Sequence, residues 1–365
     1  MLWQQFRVTG FRAVLVALIV VVTGIVASQK ILFRYYLQHG IESVRSGEME
    51  QAERYLAIAV RLDRDHPLPH AFLGMAALGR PAPGNREYFP DADYRAAIGA
   101  YEHALANDLR EADRRLHRLA VQNTGYAYWK LGEYERAHEY FRNQITLYLD
   151  AFWPRYLLAV DLVNRFNQPE DALEILSPIT EGISPDDDYR DVSENIFRAH
   201  TLLARLHLYF GDLKNVEKFS KLAIAHDADS GEIEIQVAHL TLALGYALQG
   251  NLVAALSEQG EAERLAERSG SPPRVYTCVT ARLYQLTADY RRAINVAEER
   301  LAGREPSQLT DAFCLEAMIE AHVAGGNTPA AARYARAYLA LADGFEAKNI
   351  FIQRNLSRYR EQFSL

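Results

Sequence analysis

Apolar residues along this chain recur three and four positions apart, the spacing of helical faces, and glycines punctuate the runs. Five times a glycine is followed, five positions later, by an alanine or valine that opens the next apolar stripe: Gly47/Ala52, Gly132/Ala137, Gly211/Val216, Gly250/Ala255 and Gly326/Ala331. A glycine that ends one helix and a small residue that starts the buried face of the next predict a helix–turn–helix. Its recurrence predicts a stack of such hairpins.

The sharpest copy runs from Val121 to Phe141, with Gly125, Tyr128, Leu131, Gly132, Tyr134, Ala137 and Phe141 at the offsets two antiparallel helices need. Gly125 is expected to let the helices approach, Gly132 to make the turn, and Ala137 to pack back against Gly125. These residues and offsets resemble the tetratricopeptide repeat, a unit of about 34 residues. The same offsets place a first copy from about Phe33 to His66, with Tyr36, Gly40, Gly47, Ala52, Leu56 and Ala59. A second carries Leu73, Gly74, Tyr94, Ala97, Tyr101 and Ala104, with 11 more residues between its helices than the third copy has. That insert, near 79–92, contains Arg80-Pro81-Ala82-Pro83-Gly84-Asn85 and cannot be helical throughout. Weaker copies follow at Tyr156/Val160/Ala172/Leu176, Ala204/Gly211/Val216, Ala243/Tyr246/Gly250/Ala255, Ala281/Tyr284/Tyr290/Ala293 and Ile319/Gly326/Ala331, about eight hairpins in all. An all-helical chain without true repeats is the alternative, and it requires the glycine, tyrosine and alanine offsets to agree by accident in several copies. The resemblance implies an all-α fold: a right-handed superhelical solenoid over residues 30–344, closed by a capping helix at 345–365 with Ile350, Phe351, Leu356, Tyr359 and Phe363 on its apolar side.

The amino terminus adds a different pattern. After a tail at residues 1–12, an uncharged window of 17 residues lies between Arg12 and Lys30. As a helix it reaches about 26 Å, against a hydrocarbon core of about 30 Å. Residues 13–29 are therefore expected to form a single transmembrane anchor, with Trp3, Phe6, Phe11, Phe33, Tyr35 and Tyr36 as interfacial aromatics. A signal peptide cleaved near Val26-Ala27-Ser28 is the alternative. The resemblance to single-anchor repeat proteins of bacteria implies a single-pass inner-membrane protein. Its short basic tail favours a periplasmic over a cytoplasmic repeat domain.

A net charge of −7 and a pI of about 5.9 argue against nucleic acid as the partner, since phosphate neutralisation needs clustered Lys and Arg. Cys278 and Cys314 make no metal or redox spacing; their offsets put both on first helices of consecutive hairpins, and two free thiols are the expectation. His66-Pro67-Leu68-Pro69-His70 reads as a bend between hairpins rather than a metal face, and Ser184-Pro185-Asp186-Asp187-Asp188 as a turn lacking the ligand pattern of a calcium loop. No phosphate cradle or nucleophile elbow is present in the sequence, so neither an enzyme nor a cofactor or metal site is expected.

A solenoid of this type implies a concave groove lined by first helices. Spacing assigns Tyr126, Trp129, Lys130, Asp161, Arg165, Arg198, Arg205, Tyr209 and Arg282 to it, followed by Glu316 and Glu320. Tyr126 and Trp129 serve equally as core between hairpins. The family's carboxylate clamp is absent, because its places hold Leu37 and Ile41, Ala71 and Met75, and Leu240 and Leu244. The expectation is a membrane-tethered interaction scaffold that captures a partner segment and assists assembly of an envelope or membrane complex: Arg198, Arg205 and Arg282 take carboxylates, while Tyr126 and Trp129 bury apolar side chains. The alternative is an accessory subunit docked through its transmembrane helix and first hairpin.

Overall fold

A computed structural model describes residues 2–79, 89–181, 190–226, 233–270, 277–303, 305–307, 310–345 and 349–365, with side chains omitted at 2–20, 180–181 and 190–195. The stretch Arg80–Asn85 and the acidic segment Ser184–Asp188 lie outside the described residues. The chain divides into two compact units, Met1–Pro154 and Arg155–Leu365.

In the first unit α1 (Leu2–Ser46) turns into α2 (Met49–Leu62) and α3 (Pro67–Leu78) pairs with α4 (Tyr94–Ala106). After a single turn, α5 (Leu109–Ala112), α6 (Arg114–Lys130) pairs with α7 (Tyr134–Leu147). Helix α8 (Phe152–Asn164) starts at the boundary and leads to α9 (Pro169–Leu176) in the second unit. There α10 (Arg190–Phe210) packs on α11 (Leu213–His226), α12 (Ile233–Leu248) on α13 (Leu252–Arg268), α14 (Thr277–Leu286) on α15 (Tyr290–Leu301), and α16 (Asp311–Ala324) on α17 (Thr328–Asp343). A last helix, α18 (Ile350–Phe363), follows. Within this unit first helices stack on first helices and each second helix touches the next hairpin, the tetratricopeptide-like arrangement.

The turns explain the glycine spacing. At Gly132 the chain enters the left-handed region at φ +78°, its N–H donates to Trp129 O at 3.1 Å, and the Glu133 N–H reaches back to Tyr128 O at 3.0 Å. This closes the orphan carbonyls at the helix end and suits a residue without Cβ. Gly47, Gly211, Gly250 and Gly326 repeat the geometry at φ between 71° and 79°. Between α14 and α15 the same pair of bonds is made, but the left-handed residue is Ala288, at φ 64°. Asp93, Asn251, Asp289 and Asn327 then cap the second helices, each side chain accepting from the backbone N–H three residues on. The residues five after the turn glycines, Ala52, Ala137, Val216, Ala255 and Ala331, are all completely buried.

Several expectations change. The nearest groups to Gly125 are the Phe141 ring and Tyr140 Cβ, not Ala137: a Cβ on Gly125 would lie 2.7 Å from Phe141 Cε1. Phe141 sits a full turn further along α7 than Ala137 and is large enough to cross the gap. His66 caps α3, accepting weakly from the Leu68 N–H at 3.4 Å, and Pro67 and Pro69 occupy the first turn of that helix, where a missing N–H costs nothing. The pair is therefore a helix start, and His70 stacks on His103 at 3.8 Å. Cys278 and Cys314 are not free thiols but a disulfide, Cα atoms 4.5 Å apart, because stacking of α14 on α16 brings the two first helices together there.

The membrane anchor is also overturned. Among the described residues no helix is long and apolar enough to cross a membrane, so the single-pass inner-membrane placement with a periplasmic repeat domain is withdrawn. The uncharged stretch falls short of a hydrocarbon core, and α1 continues from it without a break to Ser46, where its last turns become the first helix of the first hairpin. Val21, Ile25, Ile31 and Leu32 are exposed on α1.

Within each unit, buried clusters lie between successive hairpins. In the first unit Val44, Ala52, Leu56 and Ala76 join the first two hairpins, while Ala97, Tyr101, Leu109 and Leu116 join the next. In the second, Leu240, Ala255, Val279 and Leu283 pack together, as do Leu315, Tyr338, Ile352 and Tyr359, which draw α18 onto the last hairpin. Gly40, Gly74 and Gly125 on first helices leave room for the large side chains of second helices, Leu56, Tyr101 and Phe141, so that paired helices interlock.

Candidate functional site

The residues assigned to a groove fall into the two units and into different environments. In the first unit Tyr126, Trp129 and Lys130 occupy positions i, i+3 and i+4 of α6 and so share one face. The other face buries Ala120, Val121, Thr124 and Tyr128. Tyr126 and Trp129 stack with ring centroids 6.1 Å apart, and Phe89 and Tyr94 meet Tyr126 edge-on at 5.9 and 6.2 Å. All three groove-assigned side chains are half-buried. The Trp129 indole N–H is buried and has no acceptor among the described residues.

In the second unit three of the assigned charged residues, Asp161, Arg165 and Arg198, are engaged internally. Asp161 is 1 % exposed and receives Arg165 Nε at 3.1 Å along α8. Arg198 reaches Glu234 at 2.6 Å, tying α10 to α12. Tyr156 lies in the field of that pair and of Arg205, and burial pushes its phenol up to about 12.

Arg205 and Arg282 line a cavity of about 650 Å³, and Tyr209 stands beside it. The walls come from α10, α12, α14 and α16, and α18 forms one side through Phe351, Ile352, Arg354, Asn355 and Arg358. Helix α18 is thus more than an end cap: Asn349 donates to Asn164 Oδ1 at 3.1 Å on α8, Arg354 to Tyr209 O at 3.0 Å on α10, and Asn355 to Glu316 Oε1 at 2.7 Å on α16. Phe351 meets the Tyr209 ring edge-on at 6.0 Å. Glu316, 6 % exposed, also accepts from Tyr338 at 3.1 Å and lies 3.7 Å from Arg282 Nε. Arg358 pairs with Glu320. Arg205 sits under the Phe351 ring, 5.7 Å from its centroid, and has no carboxylate partner among the described residues. Enclosure by apolar neighbours lowers its pKa from the usual arginine range, with Tyr156 opposing.

The α18 contribution was not legible in advance, because its apolar stripe alone accounts for a cap. Arg354 and Arg358, four apart on its other side, were the available signal.

The chain matches no protein-family model and no curated protein. Among solved structures it is similar to a tetratricopeptide repeat protein from Parabacteroides merdae (14 % identity, 90 % of this chain and 98 % of that one, TM-score 0.34). A human IFIT1 dimer with PPP-AAAA gives 14 % identity over 93 % and 78 % of the chains with TM-score 0.43. The TPR2AB domain of yeast Sti1 with pHSP90 gives 13 % over 71 % and 99 % with TM-score 0.29. Likenesses this weak decide neither partner nor pathway; the hairpin assignment rests on the molecule's own turns and packing.

Proposed function

We propose that this chain is a protein-interaction scaffold that assists assembly of a larger complex by holding one partner segment against the aromatic face of α6. Tyr126 and Trp129 take apolar side chains, and Lys130, one position on, takes a carboxylate. Aromatic rings that combine large area with a polar edge are the usual anchors of such surfaces. The observation that carries this reading is the half-buried aromatic face itself, in which Tyr126 stacks on Trp129 at 6.1 Å and is met edge-on by Phe89 and Tyr94. The other groove-assigned residues, Asp161, Arg165, Arg198, Arg205, Tyr209 and Arg282, lie in the second unit, where their described contacts are with other parts of that unit.

A photo-crosslinking residue at position 126 or 129 should trap the same discrete partner in the native host, and Lys130→Glu should abolish the adduct made from 126. A crosslinker at Val253, 83 % exposed on the second helix α13, is the control. Equal trapping from all positions refutes the assignment.

A second reading has its own observation. Val21, Ile25 and Leu32 share one face of α1 and leave 46 to 59 % of their surface open, an apolar stripe suited to docking against another subunit. Deleting residues 1–28 separates the two: capture through α6 survives the deletion, docking through α1 does not.

A further inference from the structure

The second unit's cavity has the make-up of a small-molecule site. Its volume of about 650 Å³ lies within the range of roughly 300–1,000 Å³ typical of pockets that enclose most of a ligand. Leu208, Leu240, Leu244, Val279, Leu286 and Phe313 supply apolar wall. Four arginines and one glutamate share the lining.

Three of those arginines have described polar partners. Arg282 faces Glu316, Arg358 faces Glu320, and the exposed Arg354 donates to the Tyr209 carbonyl. Arg205 has the Phe351 ring and, among the described residues, no carboxylate. A guanidinium held among apolar side chains is costly to leave without a counter-charge, and an arriving anion recovers that cost through charge-assisted hydrogen bonds. A long protein segment suits the space poorly, because α18 already lies across it from α8 to α16. Arg205, enclosed beside the apolar wall and without a carboxylate among the described residues, fits one anionic group on an aliphatic chain.

We propose that this cavity binds a medium-chain alkyl monocarboxylate, its head group on Arg205 and its chain along Leu240 and Leu244. The site lies in the second unit and does not depend on partner capture by α6.

The test is calorimetric titration of the full chain with dodecanoate below its micellar concentration. Saturable binding of one equivalent is expected, and Arg205→Met should weaken it by about tenfold or more, the worth of a hydrogen bond to a charged group. That variant keeps the aliphatic stem and relieves an enclosed charge, so its helical content and melting should be preserved. Dodecanol, with a neutral head, should bind the native chain about as weakly as dodecanoate binds the Arg205→Met variant. Leu244→Trp fills the cavity and should abolish binding; if it does not fold, the methionine variant and the alcohol decide. Absence of binding, or affinity untouched by both substitutions, overturns the proposal, the latter assigning uptake to the exposed stripe of α1. Tighter binding of N-acetyl-trileucine than of dodecanoate overturns it in favour of a peptide carboxyl terminus.

Discussion

Replacing Ala288 by glycine should stabilise the protein although it removes atoms. Ala288 holds the left-handed position that glycine holds at five other turns, and it makes the same two closing hydrogen bonds: its own N–H to Gln285 O at 3.1 Å, and Asp289 N–H to Tyr284 O at 2.8 Å. Its methyl is exposed, so no burial is forfeited. A left-handed conformation costs a residue with a Cβ about 1–2 kcal/mol, while the extra freedom of glycine in the unfolded chain costs about 0.4–1 kcal/mol. The difference leaves a gain of about 0.5–1 kcal/mol. Stacked hairpins do not melt as one cooperative block, so the gain should be read locally. Native-state hydrogen exchange in α14 and α15 should slow about two- to fivefold, with little change in distant helices. Gly132→Ala is the mirror experiment. No atom lies within 4 Å of the added Cβ, so backbone strain is the sole cost, and protection in α6 and α7 should fall by a similar factor. Unchanged or faster exchange in Ala288→Gly would refute the assumption that these turns are strained for any residue but glycine.

Gly125→Ala should cost more, about 1–3 kcal/mol by denaturant titration, because its Cβ would stand 2.7 Å from Phe141 Cε1 and 3.1 Å from Tyr140 Cβ; an unchanged midpoint would show that the α6–α7 contact is loose. Reducing the Cys278–Cys314 disulfide, which closes a loop of 36 residues, should lower stability by roughly 3–4 kcal/mol, measured as a drop in unfolding midpoint with and without reductant. Burial, with His226 and Lys218 adding to it, lowers His200 to about 4, and its buried Nδ1 has no partner among the described residues. Its folded pKa lies below its unfolded value of 6.5, so this contribution is complete above pH 6.5 and is lost as pH falls toward 4, at up to roughly 1.4 kcal/mol per pH unit. His200→Gln should flatten the pH dependence of stability between those limits; an unaltered slope would place the titration elsewhere.

What the sequence disclosed of the fold was whatever is written in local rules. A left-handed turn needs glycine, a helix start needs a capping side chain, and a tight layer needs alanine, so Gly132, Asn251 and Ala331 announce their roles without any partner in view. Interactions between distant segments leave no such mark. The repeat offsets put both cysteines on first helices of consecutive hairpins, but whether they pair depends on how α14 lies against α16, which the offsets do not set. Gly125 was legible as a close approach, yet choosing Phe141 over Ala137 requires the relative shift of two helices. The course of α18 across α10 and α16 is of the same kind: Arg354 and Arg358 look like solvated charges until Tyr209 and Glu320 are placed beneath them. The amino-terminal stretch misled for the opposite reason, since apolar composition is local and conspicuous while the charges that bound it set a length too short to span.

Arrays of hairpins respond to tension one layer at a time, because each layer is held by its immediate neighbours. The Cys278–Cys314 bond breaks that rule at one place, short-circuiting 36 residues of chain. Drawn out from its ends, the oxidised molecule withholds about 120 Å of contour, at roughly 3.3–3.6 Å per extended residue, which the reduced molecule releases. Thiol chemistry thereby sets how far this protein stretches before its last two hairpins part.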